Sequence, residues 1–347
     1  MARFSLAKLS LALLTLGGLA SAHPAAAQNL FVGGNGYIEQ FTHGGTDLGV
    51  FYVDPIGNHM GHTSGLTFDP AGNLLVISDS TFGIVKLSPT GAYLGNIGAG
   101  ATYTSIAADA FGNVYAANSS RHTVDRFSAS GASLGTYLNA GSGITVPSGL
   151  AFDRSGNLYV SNSQPDPQTF GAYLNKITKY APNGSALGVF TVPSQDRNTQ
   201  SIGFNNAGEL LVGQFNDVGR NGIVRKFSPT GTDLGKFNSF SVYDPLQFAF
   251  DNSGNVFVDD NGGVLEYDPS GNVVGQGPGG RNVYMSLGIS ASGIAFAPSA
   301  PSPVPEAATT VSLGLLLALG LGGLTISRHK RSAPKARPVQ CVSVTRL

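Results

Sequence analysis

Gly149-Leu150-Ala151-Phe152-Asp153-Arg154-Ser155-Gly156-Asn157-Leu158-Tyr159-Val160 is the stretch from which the fold can be read. Two short apolar runs flank Asp-Arg-Ser-Gly. There an aspartate can bond its own backbone and a glycine supplies positive φ, so the stretch predicts a strand (A), a tight turn and a second strand (B). The run that opens at Asn157 is apolar on successive positions, which suits a strand buried on both faces.

The unit recurs along the chain. Ser64-Gly65-Leu66-Thr67-Phe68-Asp69-Pro70 and Ser292-Gly293-Ile294-Ala295-Phe296-Ala297-Pro298 repeat the pattern that starts at Ser148, and looser A strands centre on Ala108, Phe204 and Phe250. B strands open at Asn29, Asn73, Asn113, Asn157, Glu209 and Asn255. A third strand, C, places a β-branched residue three positions before an aromatic or Leu: Ile38/Phe41, Ile84/Leu87, Val124/Phe127, Ile177/Tyr180, Val224/Phe227 and Val264/Tyr267. That spacing also suits a helix, but turns such as Ser88-Pro89-Thr90-Gly91 cut it short. A strand with a bulge or bend at its end is expected. A fourth strand, D, carries a hydrophobe–Gly pair six times: Leu48-Gly49, Leu94-Gly95, Leu134-Gly135, Leu187-Gly188, Leu234-Gly235 and Val274-Gly275.

The first unit has B, C and D but no A, and the last has an A with nothing after it. Six such units of four antiparallel strands predict an all-β, six-bladed β-propeller over residues 29–298. The C-terminal strand is expected to join the N-terminal blade, with Phe296 beside Leu30–Val32, which would leave no open edge. A linear solenoid would need capping repeats in place of complementary fragments. Gly149–Val160, with Asn118–Phe127 as the matching B–C stretch, resembles the NHL repeat. The resemblance implies a six-bladed propeller and says little of activity, since one fold hosts many functions.

Loop lengths locate a working face. From the A anchor to the turn glycine the offset is 4 in all five units that have that turn, and from the C aromatic or Leu to the D hydrophobe it is 7 in all six. Across B to C it runs 12, 14, 14, 23, 18 and 12, and across D to A 20, 14, 18, 17, 16 and 22. In an up-and-down blade the B–C and D–A loops share one face, so the variation falls on one side, where insertions build binding surfaces. The long insertions are 52–63, 163–174, 215–221 and 277–285.

Just past strand B lies a ring of mostly polar positions, Gly34, Ser78, Asn118, Asn162, Gln214 and Asp260, flanked by Asp79 and Asp259. These are the expected lining of the channel mouth; their alternative role is to cap strand ends. Asp260 with Asn118 and Asn162 could hold a cation. A gluconolactonase-like metal site would need a Glu near the channel. The body has only Glu39, Glu209 and Glu266, in C strands or an A–B turn. His59 and His62, three apart in the first D–A insertion, are candidate metal ligands with Asp54 as a third. His122, in a B–C loop, is a candidate base of the kind a resemblance to propeller lyases implies. No cofactor is expected.

The ends read as sorting signals. Arg3 and Lys8 precede an apolar run from Leu9 to Leu19 and then Ala20-Ser21-Ala22, the plan of a signal peptide over residues 1–22, with cleavage as late as 27. A Pro/Ser linker and Val304-Pro305-Glu306 (residues 299–306) lead into an uncharged segment, then Arg328-His329-Lys330-Arg331, closing a membrane segment over 307–331. A tail, 332–347, follows. Val304-Pro305-Glu306, the apolar span and Arg328, Lys330 and Arg331 together resemble the PEP-CTERM sorting signal of Gram-negative bacteria. The resemblance implies an exosortase-type enzyme, signal peptidase and the export machinery as partners. It also implies a surface or extracellular destination with at least a transient membrane anchor. Ala307 stands where that signal has a second proline.

Within 347 residues there are 48 Gly and 19 Pro, and charged residues make up 12%, too few for a charged disordered polymer. The glycines lack the every-third spacing of collagen. The lone Cys341 lies in the tail, so the body relies on neither disulfides nor thiolate metal sites. Residues 29–304 carry 12 Lys+Arg and 19 Asp+Glu, a net of −7, which argues against nucleic acid as a partner. The expectation is therefore an exported module binding a protein or glycan through its B–C/D–A face. The alternative is a propeller lyase or lactonase using a metal or histidine there.

Overall fold

A computed structural model describes residues 28–54, 60–78, 82–170, 172–216, 221–238, 242–260, 263–274 and 293–298. The predicted signal peptide, His59, Asp79 and everything from residue 299 onward, including Val304, Pro305, Glu306, Arg328, Lys330 and Arg331, lie outside the described residues. The chain is an all-β, six-bladed propeller of antiparallel sheets, with one 3-10 turn, Ala140–Ser142, among the described residues.

Blade 2 shows the pattern: A, Thr63–Phe68; B, Leu74–Ser78; C, Ile84–Leu87; D, Tyr93–Ile97, hydrogen-bonded in that order. Blade 3 runs from Ser105–Ala108 to Ser133–Leu138, blade 4 from Pro147–Phe152 to Ala186–Thr191, and blade 5 from Asn198–Phe204 to Asp233–Lys236. Blade 6 has three described strands, Gln247–Phe250, Val256–Asp259 and Val264–Tyr267. Blade 1 comprises Leu30–Gly33, Tyr37–Phe41 and Asp47–Val53, and Ile294–Phe296 pairs antiparallel with its first strand, Leu30 opposite Phe296 and Val32 opposite Ile294.

The A–B turns form for the chemical reason read from sequence. Asp153 Oδ1 accepts from the Ser155 and Asn157 amides at 2.9 Å, and Oδ2 accepts from Asn157 Nδ2 at 2.8 Å. Asp69 and Asp109 repeat this cage.

The C-strand spacing is explained by what lies on either side of each sheet. Ile84 packs into the apolar layer toward blade 3 and Leu87 into the layer toward blade 1. Val124 and Phe127, Ile177 and Tyr180, and Val224 and Phe227 divide in the same way. Both members of each pair are buried because every blade has a neighbour on both faces. Six such layers occur among the described residues, and the sixth joins Ala249, Phe257 and Val264 of blade 6 to Leu30, Phe41 and Ile294 of blade 1.

The bulge expected near the end of strand C involves an extra residue on strand D. Leu87 pairs with Tyr93 and Lys86 with Gly95, which skips Leu94. Leu48, Leu134, Leu187 and Leu234 are skipped likewise. The hydrophobe–Gly pair is thus a β-bulge whose glycine sits at positive φ, 122° at Gly95. In these five blades it interrupts the ladder of the outermost strand, a device that blunts an edge otherwise able to recruit another chain.

Candidate functional site

The inner edge of each A strand faces the axis, so its backbone polar groups need partners. Other blades supply them. Ser105 Oγ accepts from Leu150 N at 3.1 Å, Thr104 Oγ1 donates to the Pro147 carbonyl at 2.9 Å, and Ser201 Oγ donates to the Pro245 carbonyl at 2.8 Å. Gln247 Oε1 accepts from both Leu66 N and Ile294 N. The channel that remains is a cavity of about 560 Å³ lined by all six A strands. Its volume would admit a small molecule. Its walls are mostly Ser, Thr, Ala, Gln and apolar side chains.

The described residues of the predicted ring are buried, and their polar side chains are engaged with nearby backbone. Ser78 Oγ accepts from Gly61 N at 2.9 Å, Asn118 Oδ1 from Arg121 N at 2.9 Å and Asn162 Oδ1 from Thr145 N at 2.9 Å. Gln214 Nε2 donates to the Ser194 carbonyl at 3.0 Å. Asp259 Oδ2 accepts from Gly293 N at 2.6 Å, and Asp260 Oδ1 from the Tyr243 and Asp244 amides. Each side chain ties the end of strand B to loop backbone on the variable face. Two atoms of this ring, Asn162 Nδ2 and Gln214 Oε1, are buried without a hydrogen-bond partner.

The histidine candidates are engaged too. His62 Nδ1 is 2.8 Å from the Thr63 carbonyl, and Asp54, the expected third ligand, accepts from Met60 N through Oδ2 at 2.8 Å. His122 contacts the Thr145 carbonyl through Nδ1 and adopts a positive φ of 59°.

What the variable face presents is concentrated on blades 4 and 5. In blade 4 the B and C strands extend past Asn162 through Ser163, Gln164 and Pro165, the last opposite Tyr173. In blade 5 they run past Gln214 to Asn216, opposite Asn221. The loop between blades, Pro193–Arg197, is clamped between these hairpins. Tyr173 N donates to the Gln195 carbonyl, Asn175 N to Gln195 Oε1 at 2.8 Å, and Asn216 Nδ2 to the Asp196 carbonyl at 2.9 Å. Arg197 Nη1 reaches the Asn221 carbonyl at 2.8 Å and its Oδ1 at 2.6 Å. The result is a raised, polar-braced platform. It exposes Phe170 almost fully, with Leu174, Val192 and Tyr243 also exposed. The long B–C offsets of blades 4 and 5 were the sequence signal for it; the bracing by Gln195 and Arg197 had none.

Beside blade 3 a second cavity of about 380 Å³ includes Tyr103, Arg121 and Asp125. Burial, aided by the negative charge of Asp125, pushes the Tyr103 hydroxyl up to about 12, so it is a neutral donor at physiological pH.

A beta-propeller repeat family matches residues 135–161, the end of blade 3 and the first half of blade 4. No curated protein sequence matches the chain. Among solved structures, one from a nidogen/laminin complex is 15% identical with a TM-score of 0.61, covering 79% of this chain and 100% of that one. A protein of unknown function from Bacteroides caccae is 17% identical with a TM-score of 0.54, covering 78% and 99% respectively. A gluconolactonase from Xanthomonas campestris is 17% identical with a TM-score of 0.49, covering 75% and 90%. At such identities the likeness concerns the fold.

Proposed function

We propose that this chain is an exported propeller, displayed at or released from the cell surface, that binds a protein or glycan through its B–C/D–A face. The observation that carries the reading is the braced platform on blades 4 and 5, where extended hairpins and the Pro193–Arg197 loop hold exposed apolar groups in a fixed polar frame. A rigid frame lowers the ordering entropy lost on binding, and aromatic groups are favoured anchors at such surfaces. The ring residues beneath serve this reading as scaffold: Ser78, Asn118, Asn162, Gln214, Asp259 and Asp260 hold loops in place for a ligand resting above them. Export rests on the signal-like N-terminus, and sorting on Val304-Pro305-Glu306, the apolar span and Arg328-His329-Lys330-Arg331, with an exosortase-type enzyme as the processing partner.

The test is to replace residues 164–172 by a two-residue turn and to substitute Phe170→Ser. Binding of each purified variant to extracellular matrix from producing cells, and to immobilised glycans, is then compared with the unaltered chain. A loss of tenfold or more, with an unchanged melting temperature, supports the platform. Equal binding by both variants overturns it. Intact mass of the exported protein tests processing: retention of Arg328 onward overturns removal of the tail.

A further inference from the structure

In three blades a lysine near the end of strand C sits on an acidic group of the A–B turn. Lys86 Nζ lies 2.9 Å from Asp69 Oδ2, Lys179 Nζ 3.2 Å from Asp153 Oδ2, and Lys226 Nζ 3.3 Å from Glu209 Oε2. Blade 6 keeps the turn aspartate, Asp251, but carries Glu266 at the lysine's position, immediately before Tyr267 as Lys86 is before Leu87. Both carboxylates are buried. A third group comes from the next blade. In blade 3 the second residue of the C–D turn, Ala129, accepts from Lys86 of blade 2 through its carbonyl at 2.8 Å. The matching residue of blade 1 is His43, whose Nε2 reaches 2.5 Å from Asp251 Oδ2.

We propose that His43, Asp251 and Glu266 form a divalent transition-metal site, with zinc as the fitting ion, at the seam between the last and first blades. One nitrogen and two carboxylate oxygens lie within 4.8 Å of one another. A tetrahedral ion with bonds of about 2.1 Å holds its ligand atoms roughly 3.4 Å apart, within reach of small side-chain rotations. Imidazole plus carboxylate suits zinc, whereas an all-oxygen set would suit calcium or magnesium. Charge balance favours the same ion. With a neutral imidazole the pair carries two negative charges in a buried setting, with an imidazolium one, and with a divalent cation none. The remaining carboxylate oxygens are oriented by one residue: Asn255 N donates to Asp251 Oδ1 at 2.7 Å and Asn255 Nδ2 to Glu266 Oε1 at 2.9 Å. Such outer contacts fix ligand geometry at metal centres. The rings of Phe257 and Phe296 wall the inner side, 6.0 and 6.1 Å from the imidazole. The His43 side chain is 34% exposed, which leaves a route for the ion. The site lies on the A–B/C–D side, opposite the binding platform, and its chemistry is that of a staple between chain ends.

The experiment is calorimetric titration of the EDTA-treated full-length chain with zinc chloride, paired with thermal melts with and without the metal. One zinc per chain and a melting temperature that rises with zinc are expected. Glu266→Lys restores the pattern of the other blades. It should weaken zinc binding at least a hundredfold while melting, without metal, no lower than the unaltered chain. Glu266→Gln and His43→Ala should weaken it likewise, and His62→Ala should leave it intact. Failure of the unaltered chain to take up stoichiometric zinc, or retention of its affinity in Glu266→Lys, overturns the site. So does loss of binding in His62→Ala with retention in His43→Ala.

Discussion

Gln247 of the last blade holds the backbone of Leu66 in the second: its Oε1 accepts from Leu66 N at 3.0 Å while its Nε2 donates to the Leu66 carbonyl. The same oxygen accepts from Ile294 N at 3.1 Å, so one amide stitches three inner strands. Replacing it with an apolar side chain of similar length would leave backbone groups of the inner edge without this partner, at about 1–3 kcal/mol for each buried group left unsatisfied. Gln247→Met, which strips three such groups of this partner, should therefore lower stability by about 3 kcal/mol or more, seen in thermal melts as a fall of at least roughly 6 °C.

Two glycines of one hairpin separate backbone conformation from close approach. Gly231 and Gly235 sit at φ 90° and 94°. A Cβ on Gly231 would fall 2.2 Å from the Phe190 carbonyl oxygen of the preceding blade, whereas one on Gly235 would meet no atom within 4 Å. Gly235→Ala should cost about 1 kcal/mol, the left-handed penalty alone. Gly231→Ala should cost at least twice that in denaturant titrations, because it forces adjacent blades apart.

Two D-strand positions three residues apart should respond unequally. Leu187 is the bulged residue and more than half exposed, while Phe190 packs edge-on to Tyr159 with ring centroids 4.9 Å apart. Leu187→Gln should change stability by no more than about 0.5 kcal/mol. Phe190→Ala should cost about 2–4 kcal/mol by emptying part of the layer between blades 4 and 5.

The turn aspartates set the acid limit. Burial works to raise the carboxyls of Asp69 and Asp153. The Asn73 and Asn157 hydrogen bonds and the Lys86 and Lys179 ammonium groups outweigh it, so both lie below the ordinary carboxylate range. A carboxyl depressed in the folded state contributes stability that is present above its unfolded value, near 3.9, and is lost as pH falls through the folded one. Melting temperature should decline below about pH 4, and Lys86→Met together with Lys179→Met should flatten that decline. At the other limit burial raises Tyr103 to about 12. Its contribution should fade as pH climbs from about 10 toward 12, and Tyr103→Phe should remove that part of the alkaline transition.

The blade count, the turn chemistry and the face that carries length variation were legible in the chain because each arises from local repetition. An Asp or Asn that cages its own turn in five units, or a hydrophobe–Gly pair at fixed offset in all six, leaves a repeated mark along the chain. The polar ring was legible as residues but not as geometry: whether Asn162 turns toward the axis or toward Thr145 depends on a loop seventeen positions away. Contacts between blades left still less trace. Nothing in the order of residues says that Gln247 meets Leu66 or that His43 meets Asp251, separations of 181 and 208 positions. Repetition along the chain determined what each blade is, through hydrophobic pattern and turn conformation. Only folding decided which side chains the blades share, because those meetings depend on how neighbouring sheets pack around the axis.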